Sequence, residues 1–241
     1  MTGADDPDEA LYARMRWNMP LSAEHAGLLL DRLDLRPGER IADLGCGWGE
    51  LLLTAIDGAD GGATGVGVDE DAALLARGRA GAARRGLDVT FTEADAAGWH
   101  GTAGRVLCTG AAHAFGGTGA ALRALAEVVP PGGRLLFGDS FWSRAPSKSA
   151  TDIFGDDLLD LPELLEAGRA AGWRVIHLSE ADQREWDDFE STFRAGRQEW
   201  LLAHAGHPRA AEIREWLDTR EREYAGVYRG VLGFAFLVLA H

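Results

Sequence analysis

Seven short runs of branched and aromatic residues recur along the chain, and most are separated by stretches whose apolar residues return at helical spacing. This alternation constrains the fold more than any other feature. Strands joined by helical crossovers run parallel, and a parallel sheet needs cover on both faces. "RIADLG" (40–45), "TGVGVD" (64–69), "DVTFTEAD" (88–95), "RVLCTG" (105–110) and "GRLLFGD" (133–139) read as five successive strands. Helices are expected over 50–56, 71–86 and 119–129, the last stopped by Pro130 and Pro131. "AAGWHGTAG" (96–104) is too short and glycine-rich for a full helix, so the third strand should return by a loop. "WRVIHLSE" (173–180) is a sixth strand. "VLGFAFLVLA" (231–240) is a seventh, apolar throughout as a strand buried on both faces requires. The expected class is α/β, a doubly wound and mostly parallel sheet.

About fifty residues between the last two strands are helical and acidic in pattern. Trp186, Phe189, Phe193 and Trp200 fall close to one face of one helix, and Ile213, Trp216, Leu217 and Tyr224 on one face of another. They serve either as core or as the aromatic underside of a cap over a pocket. At the start, "ALYARMRWNMP" suggests a short helix broken at Pro20, with Ser22 capping a second. A net charge of −14 repels nucleic-acid phosphates and suits a small or cationic partner. No apolar run reaches a membrane span, and the acidic first residues lack the positive start of a secretory signal. The chain is accordingly read as cytoplasmic. Cys46 and Cys108 have neither a metal-site spacing nor an oxidising setting, so both are expected as small buried side chains, without metal or disulfide.

The chemistry is concentrated in "RIADLGCGWGE" (40–50). Its glycines permit a strand-to-helix turn whose backbone can approach a ligand closely. A dinucleotide fold would want a small residue where Glu50 stands, and a phosphate-binding loop would want a lysine after the glycines. What remains is Asp43-x-Gly45-x-Gly47-x-Gly49. With an acid at the end of each of the next two strands, Asp69 and Asp95, the chain resembles the class I S-adenosylmethionine-dependent methyltransferases. A cofactor carrying an ammonium and a sulfonium suits an anionic pocket, unlike a phosphate cofactor. "GAAHAF" (110–115), "GDSFW" (138–142) and "WDDFE" (186–190) extend the resemblance, more loosely, to bacterial small-molecule methyltransferases of undefined substrate.

That resemblance implies a Rossmann-like seven-stranded sheet whose last strand lies antiparallel between the fifth and sixth, with a helical cap over the strand ends. It divides the chain into a lid (1–21), a cofactor-binding core (22–181), a cap (182–229) and a terminal strand (230–241). It also implies Asp43 near the amino end of the cofactor, Gly45 and Gly47 behind its methionine and ribose, and Asp69 on the ribose diol. Asp95 would accept from the adenine amino group and Ala96 would meet the ring through its backbone. Cys46, Glu70 and Thr109 complete the implied cofactor contacts. Thr109, Gly110 and His113 follow the fourth strand and should face the methyl group. His113 is the candidate base, since imidazole titrates near neutrality; the alternative is a pocket wall. Tyr12, Trp17 and Trp142 are candidate substrate contacts alongside His113. The expected activity is methyl transfer to oxygen, nitrogen or carbon of a small metabolite. The alternatives are a non-methylating reaction such as cyclisation, binding without turnover, or, more weakly, NAD-dependent oxidoreduction.

Overall fold

The computed structural model describes residues 6–8, 10–59 and 62–241. The chain divides into two compact units. The larger comprises Ser22–Phe141, Leu159–Glu180 and Phe234–His241, and the smaller Met1–Leu21, Trp142–Leu158 and Ala181–Gly233.

The larger unit is built on a seven-stranded sheet of order β3-β2-β1-β4-β5-β7-β6. Its strands are β1 (Arg40–Leu44), β2 (Thr64–Asp69), β3 (Val89–Glu93), β4 (Arg105–Thr109), β5 (Arg134–Trp142), β6 (Arg174–Glu180) and β7 (Leu232–Ala240). β1 pairs in parallel with β2 and β4, β2 with β3, and β4 with β5. β7 lies between β5 and β6 and runs antiparallel to β6, as expected. All but the last residue of β7 is buried, which explains its unbroken apolar sequence.

Helices α1 (Ala23–Leu33), α2 (Glu50–Gly58), α3 (Ala72–Arg85) and α4 (Thr118–Val128) flank the sheet in chain order. Ser22 caps α1 by accepting from the His25 N–H, and Asp71 caps α3 by accepting from Ala73 and Leu74. A single 3₁₀ turn, Ala96–Gly98, replaces the missing crossover after β3. Two helices were not anticipated between β5 and β6: α5 (Lys148–Phe154) and α6 (Leu161–Ala170). Their starts were legible, since Ser147 caps α5 and Asp160 forms a capping box with Glu163.

In the smaller unit, α7 (Gln183–Ala203) and α8 (Ala210–Glu223) form as expected, but Tyr224 leaves α8 for a π turn, Tyr224–Tyr228. The short N-terminal helix does not form among the described residues. Residues 10–15 make only isolated turns, such as Ala13 N–H to the Ala10 carbonyl at 3.2 Å. Ala10 instead lies against Gly196 of α7, where a β-carbon would collide with its carbonyl. Tertiary contact overrides local helix preference there.

Candidate functional site

The glycine turn is held open by its backbone. Gly45, Gly47 and Gly49 all take positive φ, +78°, +54° and +65°. The first two N–H groups of the turn, from Gly45 and Cys46, donate to the Val68 carbonyl at 2.9 and 3.0 Å, clipping it to the end of β2. The absent side chains have different causes. A β-carbon on Gly45 would stand 2.2 Å from that of Ala111, and one on Gly49 2.6 Å from the Phe91 ring. At Gly47 the nearest atom would be 4.0 Å away, so the side-chain direction is open. Gly47 is where a ligand can approach the backbone.

Around this turn stand the acids singled out above. Asp69 accepts from the Gly47 N–H at 2.7 Å and from the Asp71 N–H at 3.0 Å, so it fixes the loop while staying partly exposed. Asp43 is 3% exposed. Its pKa is pushed up to about 8, first by burial and then by the negative charge of Asp69, and among the described residues no cation or donor acts on it. Such a carboxyl is suited to a positively charged ligand. Asp95 lies beyond β3, exposed, and caps the 3₁₀ turn by accepting from Ala97 at 2.9 Å. Ala96 is buried behind it and Glu70 is exposed after β2.

Cys108 is fully buried, as expected, while Cys46 is only partly so; burial and the Asp43 charge push both thiols up, leaving them inert. Glu50 forms a bidentate ion pair with Arg85, both oxygens at 2.7 Å. Its role is to tie α2 to α3, a partnership that spacing along the sequence did not disclose.

Thr109 ends β4, and the Gly110 N–H donates to the Gly138 carbonyl at 2.8 Å. His113 follows in a 3₁₀ turn, Ala112–Phe115, with its ring exposed. Asp43, Cys46, Gly47, Asp69, Asp95, Thr109 and His113 are thus all set at or just beyond the carboxyl ends of β1 to β4, where ligands bind in open parallel sheets.

The smaller unit carries the other candidates. Trp142 is 8% exposed and meets the Phe154 ring edge-on at 6.2 Å. Tyr12 is partly exposed, 6.0 Å from the Phe193 ring. Trp17 is buried with Arg16 over its ring, and its N–H is committed to the Leu21 carbonyl. Two of the three acids of "WDDFE" are tied to the π turn: Asp187 receives the Tyr224 hydroxyl at 2.6 Å and Arg229, while Glu190 receives the Tyr228 hydroxyl at 2.8 Å and Arg220.

A family model described as a methyltransferase domain matches residues 41–133, from β1 to the edge of β5. The protein belongs to the class I S-adenosylmethionine-dependent methyltransferases. It is 32% identical to the uncharacterized protein YjhP of Escherichia coli K12 over 93% of each chain. The X-ray structure of YjhP matches with a TM-score of 0.85 at 30% identity, covering 97% of this chain and 98% of the other. S-adenosylmethionine-dependent methyltransferases of Geobacter sulfurreducens and Thiobacillus denitrificans, each solved with S-adenosylhomocysteine, are 31% and 30% identical. Their TM-scores are 0.86 and 0.85, over 97% and 96% of this chain and 96% of each of theirs. The cofactor of the family is S-adenosylmethionine. The open backbone at Gly47 and the buried acid at Asp43 fit a cofactor with an ammonium and a sulfonium. Among the described residues, no helix is long and apolar enough to cross a membrane.

Proposed function

We propose that this protein transfers the methyl group of S-adenosylmethionine to oxygen, nitrogen or carbon of a small metabolite. The observation that carries the reading is Asp43, a buried acid beside an open glycine backbone and without a cation among the described residues. In this reading Asp43 takes the cofactor's ammonium, Gly45, Cys46 and Gly47 back its methionine and ribose, and Asp69 accepts from the ribose hydroxyls. Asp95 accepts from the adenine amino group, Ala96 donates its N–H to the ring, and Glu70 and Thr109 border the same pocket. The two S-adenosylhomocysteine complexes of related chains support this assignment.

The cofactor supplies an electrophilic methyl carbon, and the chain's part is to align an acceptor with it and take a proton where one must leave. His113, exposed beyond β4, is the proton acceptor in this reading. Tyr12 and Trp142 are substrate contacts in this reading, and Trp17, whose N–H is committed to the Leu21 carbonyl, contributes only its ring.

The test is incubation with S-adenosylmethionine and a small-metabolite extract. Methylated product with S-adenosylhomocysteine is expected, whereas methylthioadenosine or unchanged cofactor would overturn the reading. His113→Ala should lower turnover about 10²–10⁴-fold with cofactor affinity unchanged. Joint loss of both would make His113 a wall of the cofactor pocket.

A further inference from the structure

Asp139 has no part in the assignment above, yet it stands on the same edge of the sheet. Gly138 is the last residue of β5 aligned with β4, opposite Thr109, and Asp139 follows it directly. One carboxylate oxygen accepts the Thr118 hydroxyl at 2.6 Å and the other the Ser140 N–H at 2.9 Å. Both oxygens retain a lone pair for a further donor. The side chain is partly buried, and burial is the main influence on its charge, raising its pKa despite the two hydrogen bonds. Among the described residues, His113 is the one titratable neighbour that favours its ionised form, and no arginine or lysine acts on it.

Cys108, on β4, feels the negative charge of both Asp43 and Asp139. Two acids therefore flank the carboxyl end of β4, one on β1 and one on β5, and neither has an arginine or lysine partner among the described residues. A desolvated carboxylate without a cation is costly, and a bound cation offsets that cost. The cofactor's ammonium is already assigned to Asp43, and its sulfonium has no N–H to give to the free lone pairs of Asp139, so this acid calls for a further N–H cation.

We propose that Asp139 binds the amine of the substrate, and that this nitrogen is the methyl acceptor. The inference rests on the methyl-transfer reading and narrows its substrates to primary or secondary amines. A bound ammonium, R–NH₃⁺, gives a proton to the Asp139 carboxylate, which for an amine takes the place of His113 as the first proton acceptor. The lone pair so freed forms the N–C bond as the C–S bond breaks, its electron pair remaining on sulfur. The products are R–NH₂⁺–CH₃, a neutral thioether and a protonated carboxyl, so atoms and charge balance. A carboxyl raised from its ordinary range is a better match in proton affinity for an amine than a solvated one. The net charge of −14 draws cations toward such a site.

Asp139→Asn keeps an acceptor for the Ser140 N–H and offers a donor to the Thr118 hydroxyl while removing the charge. In a bacterial extract with S-adenosylmethionine labelled as a trideuteromethyl group, the wild type should label amine nitrogen, and the variant should lose that activity about 100-fold or more. Label on oxygen, carbon or sulfur overturns the amine assignment and leaves methyl transfer standing. Nitrogen label formed by the variant at the wild-type rate also overturns it. No label on any acceptor, with S-adenosylhomocysteine still bound, overturns the methyl-transfer reading itself.

Thermal melts of the ligand-free proteins give a readout independent of turnover. A folded-state pKa above the unfolded value means stability lost as pH rises through the folded pKa. At pH 8 the variant should be as stable as the wild type or more so. A destabilised variant would make Asp139 a strut for the start of α4 and overturn the proposal.

Discussion

At the scale of single residues, Asp43 ties stability and, in the proposed reading, affinity to pH. Its folded-state pKa of about 8 lies far above the ordinary carboxylate range, so the folded protein holds a proton that the unfolded chain releases. The associated stability is fully present in acid and is lost as pH rises toward 8. Melting temperature in the ligand-free protein should fall between pH 5 and 8, and Asp43→Asn should flatten that slope. Ligand binding runs the other way, because an ammonium favours the ionised carboxyl. Affinity for S-adenosylhomocysteine, followed by calorimetry from pH 6 to 8, should rise up to about tenfold per unit, and an unchanged affinity would exclude Asp43 as the ammonium partner. Asp69→Ala should weaken the same ligand by about 1–3 kcal/mol, since the variant strands both the ribose hydroxyls and the Gly47 N–H. These acids were legible because each ends a strand and the strands were legible. The ion pair of Glu50 with Arg85 was not, because it joins two helices far apart in sequence.

At the scale of elements, the glycine turn is held by its neighbours more than by its own sequence. Gly45 combines a positive φ with a 2.2 Å approach to the Ala111 β-carbon, so Gly45→Ala should be destabilised on two counts. Adding Ala111→Gly should recover the steric share alone, leaving a residual cost of about 1 kcal/mol or more in urea denaturation. Full recovery would mean that the backbone conformation costs nothing. Strands were easier to read than helices here. The apolar runs of β1, β4, β5 and β7 follow from burial on both faces, whereas α5 is only seven residues long and is announced by Ser147, and α6 by the Asp160–Glu163 capping box. The π turn was beyond sequence reasoning. Its widened bond, Arg229 N–H to the Tyr224 carbonyl at 2.9 Å, accompanies the Tyr224 and Tyr228 hydroxyl bonds to Asp187 and Glu190 on α7.

At the scale of the whole molecule, cofactor class is the broadest question, and stability answers it. A ligand that binds only the folded chain adds about 2.7 kcal/mol at a hundredfold excess over its Kd. S-adenosylhomocysteine should therefore raise the melting temperature in proportion to the logarithm of its concentration, and NAD should leave it unchanged. A shift with NAD would reopen the dinucleotide reading. The placement of β7 has a further consequence, for the order in which the chain can fold during synthesis. β6 is finished at Glu180, but the strand that joins it to β5 begins only at Leu232. At ribosomal speeds of roughly 5–20 residues per second, β6 waits on the order of several seconds without its sheet partner while α7 and α8 emerge. During that interval its Val175, Ile176 and Leu178, still 38–49% exposed even in the finished fold, are open to wrong pairings, and the nascent chain is most in need of a chaperone.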